Sequence, residues 1–154
     1  EEPPASHLGW LNEEAIDSFA RSRISEFDIR TPGPSTPAMS LSGGNLQKVI
    51  LARELAGEPD LLICVQPTRG LDVGAIEYVH GRILEQRRRG AAILLISTEL
   101  EEILALSDRI AVMCQGKLMG IIPNENVDLD QLGLMMAGAL QLPPEAPGPQ
   151  GQAE

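Results

Sequence analysis

The chain has 154 residues, 43% of them hydrophobic, with a formal net charge of −10 and only 3% aromatics. That length supports one domain with a modest core, built from Leu, Ile, Val, Ala and Met rather than from rings. The acidic balance argues against non-specific nucleic-acid binding, and no apolar run approaches the roughly 20 residues of a membrane span or the pattern of a secretion signal.

Residues 1–8 read as a disordered lead, and Glu1, with no methionine before it, is expected in a piece of a longer protein or in a processed one. Asn12 caps a helix that carries Ile16, Phe19, Ala20 and Phe27 at helical spacing, with Glu13 and Glu14 in its first turn. Thr31–Pro37 is a Pro/Ser/Thr/Gly stretch that cannot continue it. Asn45–Ala56 is a second helix, its apolar face predicted from Leu46, Val49, Ile50 and Leu55, with Gly57 as its stop. Leu61–Val65 is a continuous apolar run, as in a parallel strand buried on both faces. Val73–Arg89 is helical, with Ile76, Val79, Ile83 and Leu84 inward and Gly90 ending it.

Ala91–Ser97 is predicted as another buried strand, and Ser97 or Thr98 as the cap of a helix over Glu99–Leu106. Arg109–Cys114 and Lys117–Ile122 are strands joined by a tight turn at Gln115–Gly116. A last helix, Leu129–Leu140, carries Leu132, Met135, Met136 and Leu140, the methionines as gap-fillers in a core. Leu142–Glu154, rich in Pro, Gly and Gln, reads as a disordered tail. Arg87–Arg89 sits where cations complement a helix C-terminus. Cys64 and Cys114 behave as small hydrophobes and suit a reducing compartment. His7 and His80 have no ligand cluster around them, so no metal site is expected. The alternation implies an α/β fold with a partly parallel sheet.

Chemistry concentrates in Leu41-Ser42-Gly43-Gly44-Asn45-Leu46-Gln47-Lys48. Ser42 is a good N-cap, and glycines leave the backbone open to a ligand. The first N–H groups of a helix lack intrahelical partners and carry the positive end of its dipole, so they suit a phosphate. An ordinary capped helix has the same first residues. Here, however, a second segment follows, the apolar strand Leu61–Val65 running into Gln66-Pro67-Thr68-Arg69-Gly70-Leu71-Asp72.

In Leu41–Lys48 and Pro67–Gly74 the chain resembles the ATP-binding subunits of ABC transporters. It is most similar to the second ATPase domain of the tandem subunits serving simple-sugar and nucleoside importers. The likeness runs from about Gly9 to Gly138. It implies an α/β, partial P-loop NTPase (ABC ATPase) fold: an incomplete parallel sheet flanked by helices, with part of the helical signature subdomain. Residues 1–40 would then be the lead and a helical-subdomain piece, 41–140 the C-terminal part of the ATPase domain, and 141–154 the tail. Leu41–Asn45 looks like the signature, Leu61–Gln66 like the Walker B strand, Gly70–Asp72 like the D-loop, and Ile96–Glu99 like the switch segment.

The departures from the family pattern are specific. Walker B ends in Asp and Glu in the family, for Mg²⁺ and for the attacking water; Val65 and Gln66 stand there, and neither does that chemistry. The switch histidine falls at Thr98. No Gly-x-x-x-x-Gly-Lys-[Ser/Thr] occurs, so the loop that wraps the phosphates is absent. The chain alone is therefore expected not to hydrolyse ATP.

In the family two ATPase domains meet head to tail, and each nucleotide lies between the Walker A loop of one and the signature of the other. The resemblance thus implies that Ser42, Gly43 and Gly44 act in trans on a partner domain's ATP, with Asn45 and Gln47 shaping the loop and Asp72 reaching the partner's phosphate-loop region. ATP and Mg²⁺ would belong to the full assembly, and the partners would be a second ABC ATPase domain and membrane permease subunits. The place would be the cytoplasmic face of the cell membrane. Two other readings stay open: a catalytically inert interaction or dimerisation module, and a piece of a chromosome-maintenance or repair ABC-type ATPase. The resembled fold has its Walker A strand between those matching Ala91–Ser97 and Arg109–Cys114, so these two are expected to close up directly or to take a strand from another copy, which would make a dimer.

Overall fold

The computed structural model describes residues 6–7 and 10–143; the rest of the predicted lead and tail lies outside the described residues. The chain divides into two compact units, Glu1–Ile96 and Ser97–Glu154.

In the first unit β1 (Ser6–His7), a strand where residues 1–8 read as disordered from sequence, pairs antiparallel with β2 (Trp10–Leu11). Helix α1 (Glu13–Glu26) starts at Asn12, whose side-chain oxygen accepts from the Ala15 amide at 3.1 Å, as its sequence predicts. It ends at Phe27, after which Asp28 takes a left-handed φ of 47° and turns the chain. A short 3₁₀ turn, Ala38–Ser40, precedes helix α2 (Gly43–Leu55). The buried stripe of α2 is Leu51, Ala52 and Leu55, whereas Leu46 and Ile50 are exposed. The helix lies against α1 and against α3 (Val73–Arg88), and the stripe that these two neighbours cover keeps Leu55 of the predicted face, with Val49 half-buried, and adds Leu51 and Ala52.

Strands β3 (Leu61–Val65) and β4 (Ala92–Ile96) form a parallel pair in register from Leu61↔Ala92 to Val65↔Ile96. Leu62 and Cys64 turn into the core with Val79 and Ile83 of α3. The expectation of burial on both faces fails: Leu61, Ile63 and Val65 are 57–61% exposed, and Leu94 and Ile96 lie open on the same face. A strand buried on both sides needs a helical layer on each, and among the described residues one face is covered.

The second unit holds α4 (Leu100–Leu106), the antiparallel pair β5 (Arg109–Cys114) and β6 (Lys117–Pro123), and α5 (Leu129–Met136). Gln115 and Gly116 both take positive φ, 49° and 76°, as the predicted two-residue turn requires. The ladder partner of β4 is β3, and that of β5 is β6. A two-residue hairpin gives β5 a partner at little entropic cost. Helix α4 begins one residue later than expected, with Glu99 at its cap position and the Ser97 hydroxyl accepting from the Glu99 amide at 3.0 Å.

The core of this unit is Ile110, Val112, Met119, Ile122, Leu132 and Met135. Leu142, read as the start of the tail, packs against it, and its amide donates to Met119 O at 2.7 Å. Helix α5 stops four residues short of the predicted end because Gly138 sits at φ 74°, and the Ala139 amide folds back to Leu134 O. A Cβ on Gly138 would lie 3.1 Å from Cys114 Sγ. Gly138→Ala therefore meets both a left-handed backbone and a tight contact, and should cost about 1–2 kcal/mol; amide exchange in α5 and β5 should quicken while the first unit is unaffected.

Candidate functional site

The signature-like and D-loop-like residues are the N-termini of two helices laid together. Ser42 is the N-cap of α2, in extended backbone (φ −64°, ψ 157°), and Gly43 and Gly44 are its first two helical residues. Asp72 is the N-cap of α3, its carboxylate accepting from the Ala75 amide at 3.0 Å. A Cβ built on Gly44 would stand 3.1 Å from the Ala75 Cβ, and one on Gly43 3.9 Å from Leu71 Cδ2. The glycines thus let the start of α2 rest on the start of α3. Gly70, at φ 74°, makes the turn that brings Leu71 and Asp72 there, with the Leu71 amide donating to Thr68 O at 3.1 Å.

Ser42 and Gly43 are exposed, while Leu41, Gly44, Asn45 and Gln47 are half-buried. The Gly43 and Gly44 amides belong to the first turn, which has no intrahelical acceptor, and two dipole ends of the same sign converge there. Asn45 has two roles. Its Oδ1 accepts from the Arg30 amide at 2.9 Å, which fixes the orientation of its amide group, so Nδ2 points at Ser42 Oγ, 3.0 Å away. The Asn45 amide approaches the same oxygen at 3.4 Å. Both acceptor positions of Ser42 Oγ are then occupied, and what the hydroxyl has left is its hydrogen to donate. The donors left at this corner are the first-turn N–H groups and the Ser42 O–H.

The other predicted positions lie elsewhere. Val65 ends β3 with its side chain 61% exposed, and Gln66 follows in a left-handed turn at φ 51°, its amide donating to Ile96 O at 2.8 Å. Thr98 is exposed and belongs to the second unit. Among the described residues no group of His, Cys, Asp and Glu could hold a metal ion, and no helix is long and apolar enough to cross a membrane.

Sequence reasoning missed the link from Asn45 to Arg30 and the anchor beside it. Lys48 Nζ donates to Asp28 Oδ2 at 2.9 Å and holds that carboxyl below the usual range, first through the hydrogen bond and then through charge. Both links join residues 15 and 20 apart in the chain, and no spacing along α2 signals them.

The Gly44–Ala75 approach gives a direct test. Gly44→Val should cost about 1–3 kcal/mol by overpacking. Ala75→Gly, worth under about 1 kcal/mol alone in a helix, should recover part of that loss in the double variant, measured by denaturant unfolding; additive losses would mean that the two helices do not meet there.

No family model matches the chain. It is 53% identical over 136 residues to the nucleoside import ATP-binding protein NupA of Lactococcus lactis, covering 88% of this chain and 27% of that protein. It is 53% identical over 138 residues to the guanosine import ATP-binding protein NupO of Bacillus subtilis, covering 90% and 27%, so it spans about a quarter of the length of these curated relatives. A galactose/methyl galactoside import ATP-binding protein of Clostridium tetani is 44% identical over 112 residues, 73% of this chain and 22% of that one. Among solved structures, a dimeric ATP-binding cassette in a post-hydrolysis state with ADP and Pi superposes with a TM-score of 0.63 at 20% identity, over 79% of this chain and 52% of that one. A second cassette of an ABC transporter gives 0.65 at 22%, over 84% and 52%. With a signature-like helix start, a D-loop-like turn and a partial α/β sheet, and with import ATP-binding proteins as its sequence relatives, the chain belongs to the ABC ATPase family.

Proposed function

We propose that this chain serves an ABC importer for simple sugars or nucleosides by donating its signature and D-loop in trans to the ATP site of a partner ATPase domain. The observation that carries the reading is the joined pair of helix starts, with Ser42, Gly43 and Gly44 offering donors and Asp72 beside them. Their contribution is electrostatic: preset N–H and O–H groups aimed where charge develops on a transferring phosphoryl group. The names of the relatives supply the importer class and its substrates.

Val65, Gln66 and Thr98 fit the same division of labour. None can ligate Mg²⁺ as a carboxylate does or present an imidazole to a γ-phosphate. ATP and Mg²⁺ are held by the partner's Walker A loop in this reading. The assembly reaches the cytoplasmic face of the membrane through permease subunits. One observation favours a second reading, an inert interaction module: the open apolar face of β3 and β4, a patch of the kind that marks association.

The 154-residue chain by itself should bind Mg-ATP weakly. A few charge-assisted hydrogen bonds, each about 1.5–3 kcal/mol, must offset the cost of ordering a flexible ligand. Titration calorimetry checks this, and micromolar affinity would require a phosphate site other than the signature.

In the assembled importer ATPase, Gly43→Asp places a carboxylate where the γ-phosphate must sit. At ~4 Å and an effective dielectric of about 20 the repulsion is roughly 4 kcal/mol, which slows turnover about a thousandfold if fully expressed in the transition state. Ser42→Ala removes one donor to a charged group and should cost about ten- to a hundredfold. Restoring Val65→Asp, Gln66→Glu and Thr98→His together should change the rate little. A rate that survives Gly43→Asp but rises with the triple restoration would overturn the trans reading, and indifference to all of them would favour the inert module.

A further inference from the structure

The three residues that leave α1, Glu26, Phe27 and Asp28, are gripped from both other helices of the first unit. From α2, Lys48 Nζ donates to Asp28 O at 2.8 Å as well as to its carboxylate, and the ammonium stands 4.5 Å from the centre of the Tyr78 ring on α3. The Lys48 side chain is only 14% exposed, whereas that of Asp28 stays largely in solvent at 72%.

One turn further along α3, Arg82 has every part of its guanidinium engaged. Nε donates to the Tyr78 hydroxyl at 3.0 Å, Nη1 to Glu85 Oε2 at 2.9 Å and Nη2 to Glu26 O at 2.6 Å. Its plane covers the Phe27 ring at 4.5 Å, and Phe27 is almost wholly buried. Tyr78 therefore has two cations close to its ring, Lys48 at 4.5 Å and Arg82 at 5.4 Å from its centre. Such contacts are strongest where the cation is desolvated.

The grip fixes more than α1. Asp28 holds a left-handed backbone that a non-glycine residue keeps only when its surroundings impose it. Two residues on, the Arg30 amide meets Asn45 Oδ1, and Asn45 Nδ2 meets Ser42 Oγ. A continuous path thus runs from α3 through Lys48 and Asp28 to Arg30, Asn45 and the Ser42 hydroxyl.

We propose that Lys48, Tyr78 and Arg82 are positioning residues that, by fixing Asp28–Arg30 against α2 and α3, set the aim of the Ser42 hydroxyl. This rests on the reading of Ser42 as a donor to phosphate, but its test needs no nucleotide. The Arg30 amide has Asn45 Oδ1 as its acceptor and the Asn45 amide has Ser42 Oγ, so their exchange rates report the path directly.

The measurement is residue-resolved amide exchange on the 154-residue chain. Lys48→Ala and Tyr78→Leu should each speed exchange at Arg30 and Asn45 about tenfold, while Leu51–Leu55 and Ile83 stay within about twofold, as for a local opening. Lys48→Arg, which can still donate to Asp28 and stack on Tyr78, should restore the slow rates, and Tyr78→Phe, which keeps the ring, should fall between. Unchanged rates at Arg30 and Asn45, or an equal rise at the control amides, would overturn the proposal. The Gly43→Asp assay judges the trans reading separately.

Discussion

Everything about the candidate site depends on the close approach of α2 to α3 at Gly44 and Ala75. An added Cβ at Gly44 would come within 3.1 Å of Ala75 Cβ, so the missing side chain is what lets the two helix starts share a corner. Their dipoles and their unbonded first-turn amides then add at one place instead of being spread over two loops. Caps and turns complete the corner. Ser42 and Asp72 each satisfy a first-turn amide, and Gly70 supplies the left-handed turn between β3 and α3. None of these features is unusual alone; their convergence gathers the donors of two helix starts at one corner.

The parts of this architecture that are local in sequence were legible. Asn12, Ser42 and Asp72 stand as caps because each helix begins with a short polar side chain that can reach back to an amide three residues on. Gln115–Gly116 turns as expected because Gly116 takes positive φ freely, and the hairpin holds Gln115 at φ 49° beside it. What failed was set at a distance. The stripe that α2 buries was chosen by α1 and α3, and hydrophobicity at helical spacing did not distinguish it from the overlapping predicted face. The bare face of β3 cannot be seen from Leu61–Val65, since an apolar run records what a strand suits and not which layers cover it. The Arg30–Asn45 bond joins residues 15 apart across a Pro-rich loop, and no periodicity announces it. Gly138 was a signal passed over: a glycine after an apolar run is a common helix stop, and the run to Leu140 hid it.

Val65 and Asn45 differ in how tightly their surroundings constrain them. Val65 is 61% exposed, so its valine does not fill a core position where an acid would have been costly. Asn45 is the opposite case. Both ends of its amide are used, one on a loop residue and one on the hydroxyl of the cap, and an aspartate or a leucine there would break one bond or both.

A corner under no functional demand would need only a cap to start α2, and Ser42 alone provides it. The surplus order at this corner is the part left unexplained by folding. Beyond the helix packing that the glycines allow, a fixed amide and a hydroxyl with its acceptor positions filled leave donors at an exposed helix start. On the proposed reading that surplus is the donor set for a partner domain's phosphate, and the polar network around Asn45 holds it in place before any nucleotide arrives, so that little reorganisation is needed when charge develops.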